Sequence, residues 1–174
     1  MTIFRISIQL LIAGLLLAQG SKPNFSGRWE VDKSSTAKTT LVNHPELSGP
    51  PAPVAPADHA FDTMRPQAIT HREPSLVIVD EAAGRLPTRS LKFSTDGKEN
   101  VSEIPGGGVN RSTTRWDGEQ LVTEWVLEHD GSPTMRGTDR RSLSKGGSVL
   151  LDERTVVTPM HETQFHIVWV RKGP

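Results

Sequence analysis

The chain contains no cysteine. Disulfides, thiolate metal sites and lipid attachment at a cysteine are therefore excluded, and side-chain packing must hold the fold. An excess of one charge is also missing, because 20 Lys and Arg balance 20 Asp and Glu. Without a positive excess there is no broad surface for a nucleic-acid backbone, and no nucleic-acid partner is expected. Long apolar runs are nearly absent too. The one such run, Ile6 to Leu17, is shorter than the ~20 residues a spanning helix needs. Beyond it no helical period can be traced, while 15 Gly and 13 Pro supply the punctuation of short strands and turns.

The apolar run has the flanks of a secretory signal: Arg5 before it, and small Ala18 and Gly20 after it. Residues 1–20 are accordingly read as a cleaved signal peptide. The expected location is secreted or periplasmic, with no lipobox cysteine and no membrane span after cleavage. Residues 21–174 are then one domain of ordinary size.

The domain opens with alternation. Phe25, Gly27, Trp29 and Val31 interleave with Ser26, Arg28, Glu30 and Asp32, a period of two that predicts a first strand with Trp29 turned inward. From Lys33 to Pro66 the alternation stops, and Gly49-Pro50-Pro51-Ala52-Pro53-Val54-Ala55-Pro56 lacks half of the amide donors a ladder needs. Residues 33–66 are read as a Pro-rich, disordered loop outside the sheet.

Strand signals then resume: Pro74–Asp80, Arg89–Ser94, Lys98–Ile104, the pair within Asn110–His129, Thr134–Leu143, Ser148–Val157 and Glu162–Arg171. Asp96-Gly97 is read as a hairpin turn between its two neighbours, and Asp117-Gly118 as another. A two-residue turn at the latter sets Trp116 opposite Glu119. Ser112, Thr114 and Trp116 then share a face with Leu121, Thr123, Trp125 and Leu127. The expected architecture is an all-β, antiparallel up-and-down meander barrel of about 8–10 strands.

The run Phe25-Ser26-Gly27-Arg28-Trp29 resembles the opening strand of lipocalin and calycin barrels, with their Gly-x-Trp. Those barrels place an arginine after the last strand, packed across that tryptophan, and Arg171 stands in the matching place. The resemblance implies that Gly27, Trp29 and Arg171 close the barrel floor. Over nearly all of residues 21–174 the chain is also similar to a group of exported bacterial lipocalin-like proteins. They share Asn24-Phe25-Ser26-Gly27-x-Trp29, Asp32-Lys33-Ser34, Thr95-Asp96-Gly97-Lys98-Glu99 and Trp116-Asp117-Gly118 followed by Leu121. That likeness implies a barrel and export, and brings no activity with it.

No catalytic constellation emerges. Gly-x-Ser-x-Gly is absent, Ser142 to Lys145 has the Ser-x-x-Lys spacing but in a turn, and Gly106-Gly107-Gly108 precedes no helix. His161 and His166 are five apart on one strand and point to opposite faces, so neither a metal site nor a cofactor is expected. Alternation puts Glu153 with Val149, Leu151, Thr155 and Val157, and sets Arg89 beside Phe93 and Arg141 beside Met135. A buried carboxylate and inward guanidiniums form either a structural ion pair or a seat for a ligand acid. The candidate cavity lining is Phe93, Thr114, Trp116, Thr123, Trp125, Arg89, Arg141 and Glu153.

The function expected from this pattern is non-catalytic binding of a small apolar or amphipathic molecule. The alternative is an envelope or secreted interaction or inhibitor module with a filled core, engaging a partner through the Pro-rich loop or a strand edge.

Overall fold

A computed structural model of the protein describes residues 22–32, 34–35, 40–42, 64–85, 87–104, 108–159 and 162–173. The expected signal peptide and most of the Pro-rich stretch lie outside the described residues. The strands are β1 Gly27–Val31, β2 Thr40–Val42, β3 Gln67–Arg72, β4 Ser75–Asp80, β5 Arg89–Ser94, β6 Asp96–Ile104, β7 Gly108–Asp117, β8 Gln120–His129, β9 Ser132–Ser144, β10 Val149–Val157 and β11 Glu162–Lys172. Among the described residues the only helical turn is a 3₁₀ turn at Lys145–Gly147. No helix there is long and apolar enough to cross a membrane.

Every pairing is antiparallel, and the strands follow the order β5-β4-β3-β1-β11-β10-β9-β8-β7-β6. The chain thus winds up and down around one barrel. The first strand meets the last, with Trp29 opposite Arg171, while β5 and β6 at the two ends of the path share no ladder. The expected hairpin at Asp96-Gly97 is therefore a turn between two strands that part. Side chains explain the parting: the Ser94 amide donates to Asn100 Oδ1 (2.9 Å), and the Lys98 amide and Ser94 hydroxyl donate to Asp96 Oδ1. Groups that a ladder would use are already taken, and a bulge between Asp96 and Glu99 bends β6 toward β7.

Two other expectations need correction. Thr40–Val42, inside the stretch expected to stay out of the sheet, pairs with β11 opposite Gln164–Glu162. This short run precedes the prolines, keeps its amides, and continues the edge that β1 has begun. In the β7–β8 hairpin Trp116 faces Leu121 and Asp117 faces Gln120, so the turn is Gly118-Glu119, one residue later than expected. The register moves by two, which preserves side-chain parity. Ser112, Thr114, Leu121 and Thr123 are all buried on the inner face.

The closed end of the barrel is packed solid. Trp29, Leu121, Leu150 and Ile167 are fully buried and join Phe25, Leu76, Ile69, Ile78 and Trp169 in one cluster. At ~25 cal/mol per Å² of apolar surface, this cluster is the main stabilising element of the fold. Outside it, the Arg171 guanidinium lies 4.7 Å from the centre of the Trp29 ring and donates to the Asn24 carbonyl oxygen. Gly27 makes room for it. Its φ of +146° disfavours any side chain, and a Cβ there would lie 3.3 Å from Arg171 Nε. The Gly-x-Trp and the terminal arginine are thus one device, in which the arginine covers the face of the buried indole.

Candidate functional site

Beyond this floor, toward the end where β4 stops at Asp80 and β5 begins at Arg89, the interior is hollow. The cavity measures about 550 Å³. Its apolar wall includes Trp125, Phe93, Leu127, Met135 and Phe165, with Trp169 beneath. Trp125 lies flat against β9 because residue 137 is glycine. A Cβ on Gly137 would come within 2.4 Å of both the indole and the Thr155 carbonyl oxygen.

The polar wall is made by Asp139, Arg141 and Arg154, with the buried Asp152 behind them, a block of four charged side chains, two on β9 and two on β10. Asp139 is opposite Arg154 and Arg141 is opposite Asp152, so the sign alternates both along and across the strands. Arg141 Nη2 donates to Asp139 at 2.9 Å and its Nε lies 3.7 Å from Asp152. Arg154 donates through Nε to Asp139 at 2.9 Å and through Nη2 to Asp152 at 3.1 Å. Each carboxylate touches two guanidiniums, the condition under which buried charge is tolerated. Burial alone would push the Asp139 carboxyl up, but Arg154 and Arg141 outweigh it and hold the group below its ordinary range. Asp139 in turn keeps the Arg154 guanidinium firmly protonated, against the opposing effect of burial. Arg154 sits on the inner face yet is 32% exposed, because the surface it shows faces the hollow.

Nearer the opening, Asp80 receives both Arg65 (3.5 Å) and Arg89 (2.8 Å). Several inner polar atoms have no protein partner. Among the described residues Arg141 Nη1, Trp169 Nε1, Asn110 Oδ1 and Asp152 Oδ1 are buried without a hydrogen bond, and the first three belong to residues that line the cavity. Unmatched donors and acceptors at a hollow are costly unless something placed there meets them.

The residues expected to line the cavity divide into two groups. Phe93, Thr123, Trp125, Arg89 and Arg141 do line it. Thr114, Trp116 and Glu153 do not. Thr114 is buried behind Thr123, their hydroxyls 3.0 Å apart. Trp116 belongs to the closed end, stacked on Phe25 at 5.9 Å and donating from Nε1 to Glu73 at 2.7 Å. Glu73 also accepts from the Thr95 hydroxyl and from His71 Nε2, while the Phe25 amide donates to His71 Nδ1. Burial opposes the Glu73 charge, and these donors outweigh it, so its carboxyl is held below the usual range.

Glu153 points out of the barrel, where its side chain is 60% exposed and 3.7 Å from His166. Both faces of β10 carry apolar residues, so alternation alone assigns the wrong one as interior. The inward carboxylate is its neighbour Asp152. Asp139, Arg154, Asp80, Arg65 and Asn110 were not read from the sequence as site residues. The signal for two of them was present, since Asp139 has the parity of Arg141, and the Arg141–Asp152 register then turns Arg154 inward.

A second concavity, about 600 Å³, lies on the outer wall. In its lining Arg111 pairs with both Glu99 and Glu128, and Glu124 pairs with Arg115. No residue with an orphaned buried polar atom lines it.

No protein-family model matches the chain, and no curated protein matches it in sequence. Solved structures do match in shape. A zebrafish ileal bile acid-binding protein, crystallised with cholic acid, superposes with a TM-score of 0.53 over 85% of this chain and 98% of that one, at 16% identity. The fold is lipocalin-like. Secretory abundant heat soluble protein 4 from Ramazzottius varieornatus gives a TM-score of 0.52 over 86% and 96% of the two chains, at 13% identity. At such identities the likeness is one of fold, and it agrees with the Gly27–Trp29–Arg171 closure.

Proposed function

We propose that this protein is an exported, bacterial, non-catalytic barrel that holds one small amphipathic molecule in its interior. The observation that carries this reading is the cavity of about 550 Å³ with an aromatic wall, an ionic wall and three buried polar atoms left without partners. Its volume falls within the ~300–1,000 Å³ typical of small-molecule sites. The structural neighbour crystallised with cholic acid supports the reading by analogy of fold. Export rests on the N-terminal signal pattern, and secretion or the periplasm is the location we infer.

A filled-core interaction module finds less support. Its best feature is Val101 on the edge strand β6, 55% exposed. One side chain falls far short of the several hundred Å² of a typical apolar contact patch.

The reading is tested by titrating the protein with dodecanoic acid while following tryptophan emission, since Trp125 and Trp169 line the cavity. A saturable, one-to-one change that is strongly reduced in Trp125→Phe is expected. A flat response to this and other amphipaths overturns it. The mass of the exported protein, expected to begin at Ser21, tests the location.

A further inference from the structure

The cavity does not present one uniform polarity. Its charges form two groups, and the two groups differ in balance. In the inner block, two guanidiniums, Arg141 and Arg154, face two carboxylates, Asp139 and Asp152. Formal charge cancels there. An anion brought to Arg141 Nη1, the donor buried there without a partner, would also meet both carboxylates at close range, Asp152 with its Oδ1 unpartnered, so attraction and repulsion largely offset. A neutral oxygen faces no such conflict. It can accept from the orphaned donors Arg141 Nη1 and Trp169 Nε1.

At the opening the balance differs. Arg65 and Arg89 share one carboxylate, Asp80, and both contacts fall on its Oδ2 atom. One positive charge is left over, beside a half-exposed Arg89 that can reorganise at little cost.

Resting on the container reading above, we infer that the cavity selects a ligand with a neutral hydroxyl or carbonyl at its inner end and an acid at its outer end, the apolar body lying between them along Trp125 and Phe93. The acid sits at Arg65 and Arg89. The inner oxygen sits on the orphaned donors of Arg141 and Trp169. Long-chain hydroxy acids and oxo acids are the chemical class with this arrangement.

The test compares, by calorimetry on the full chain, dodecanoic acid, its ω-hydroxy derivative, dodecanedioic acid and dodecanol. Arg89→Gln is the variant, because Arg89 is exposed and its loss leaves the inner block intact. The ω-hydroxy acid is expected to bind about tenfold tighter than dodecanoic acid, the gain of satisfying buried polar atoms. The diacid, with a second anion forced inward, is expected to bind about tenfold more weakly than the hydroxy acid. Arg89→Gln is expected to weaken both monoacids several-fold and leave dodecanol unchanged. Equal binding of acid and hydroxy acid, a diacid as tight as the hydroxy acid, or an Arg89→Gln effect shared by dodecanol would each overturn the inference while leaving the container standing. Failure of all four compounds to bind would overturn the container itself.

Discussion

The two ends of this barrel are built by the same strands and obey opposite rules. At the closed end Trp29, Phe25, Leu121, Leu150 and Ile167 fill the space, Trp29 Nε1 donates to the Phe25 carbonyl and Glu73 gathers three donors, while Trp169 at the top of the cluster leaves its Nε1 unmet toward the hollow. Above it β9 and β10 turn charged residues inward, and Arg141 Nη1 and Asn110 Oδ1 stay unmet around a hollow that opens at Asp80 and Arg89. Stability is concentrated at one end, and unsatisfied chemistry at the other. Such a division lets a protein keep a costly polar surface in its interior, since the energy that offsets it comes from packing elsewhere.

If that division holds, substitutions at the two ends should have separable effects. The largest belongs to the floor. Trp29→Ala removes a fully buried indole and should cost about 3–5 kcal/mol in urea unfolding. A loss under about 1 kcal/mol would mean that the closed end is not the stabilising half.

Asp139→Asn comes next. It withdraws a carboxylate that touches both Arg141 and Arg154, and should cost about 3 kcal/mol at neutral pH, in the range for breaking a buried ion pair. The same variant alters the pH profile. Because the folded-state value of Asp139 is depressed, its contribution is fully present above the unfolded value of about 3.9 and is lost as pH falls through the lower folded one. Wild-type stability should therefore drop more steeply below about pH 4 than that of Asp139→Asn, as read from denaturation midpoints between pH 2 and 7. Parallel profiles would show that the block carries no linked proton.

Gly137→Ala should act chiefly on the cavity. The added methyl collides with the Trp125 ring and with backbone at Thr155, so the indole must swing into the hollow. About 1–3 kcal/mol of stability should be lost, together with the ligand-dependent change in fluorescence. An unchanged emission spectrum would contradict the packing of Trp125 on Gly137. Arg171→Ala should have the smallest effect, about 0.5–1 kcal/mol for an exposed cation over an aromatic face, with ligand affinity unaltered. A change in affinity there would show that the floor and the cavity are coupled.

Most of the fold is legible along the chain. Alternation around Trp29, the apolar face shared by Trp116, Leu121 and Trp125, and the spacing of turns all point to an antiparallel barrel, because side-chain direction in a strand is set by parity alone. Parity also explains why a hairpin turn placed one residue early did no harm to the inner face of β7 and β8. It fails on β10, where Leu150 and Val156 on one face compete with Val149, Leu151 and Val157 on the other. There only the pairing with β9 decides which carboxylate enters the barrel.

Trp116 shows a different limit. It lies on the inner side of β7, as alternation requires, but depth along the barrel places it in the floor beside Phe25 and His71, out of the cavity. Nothing in the spacing of one strand reports depth.

What this sequence determines by itself is therefore the kind of object: extended strands, which side of most of them is dry, and a first strand whose Gly27 and Trp29 await an arginine from the last. What only the tertiary structure decides is where the hollow stops, which acid faces which arginine, and that β5 and β6 part after their turn. The physical reason is range. Alternation and turn chemistry act between neighbours in the chain, whereas the block of Asp139, Arg141, Asp152 and Arg154, and the empty space beside it, exist only once strands distant in sequence lie at a common height around the barrel.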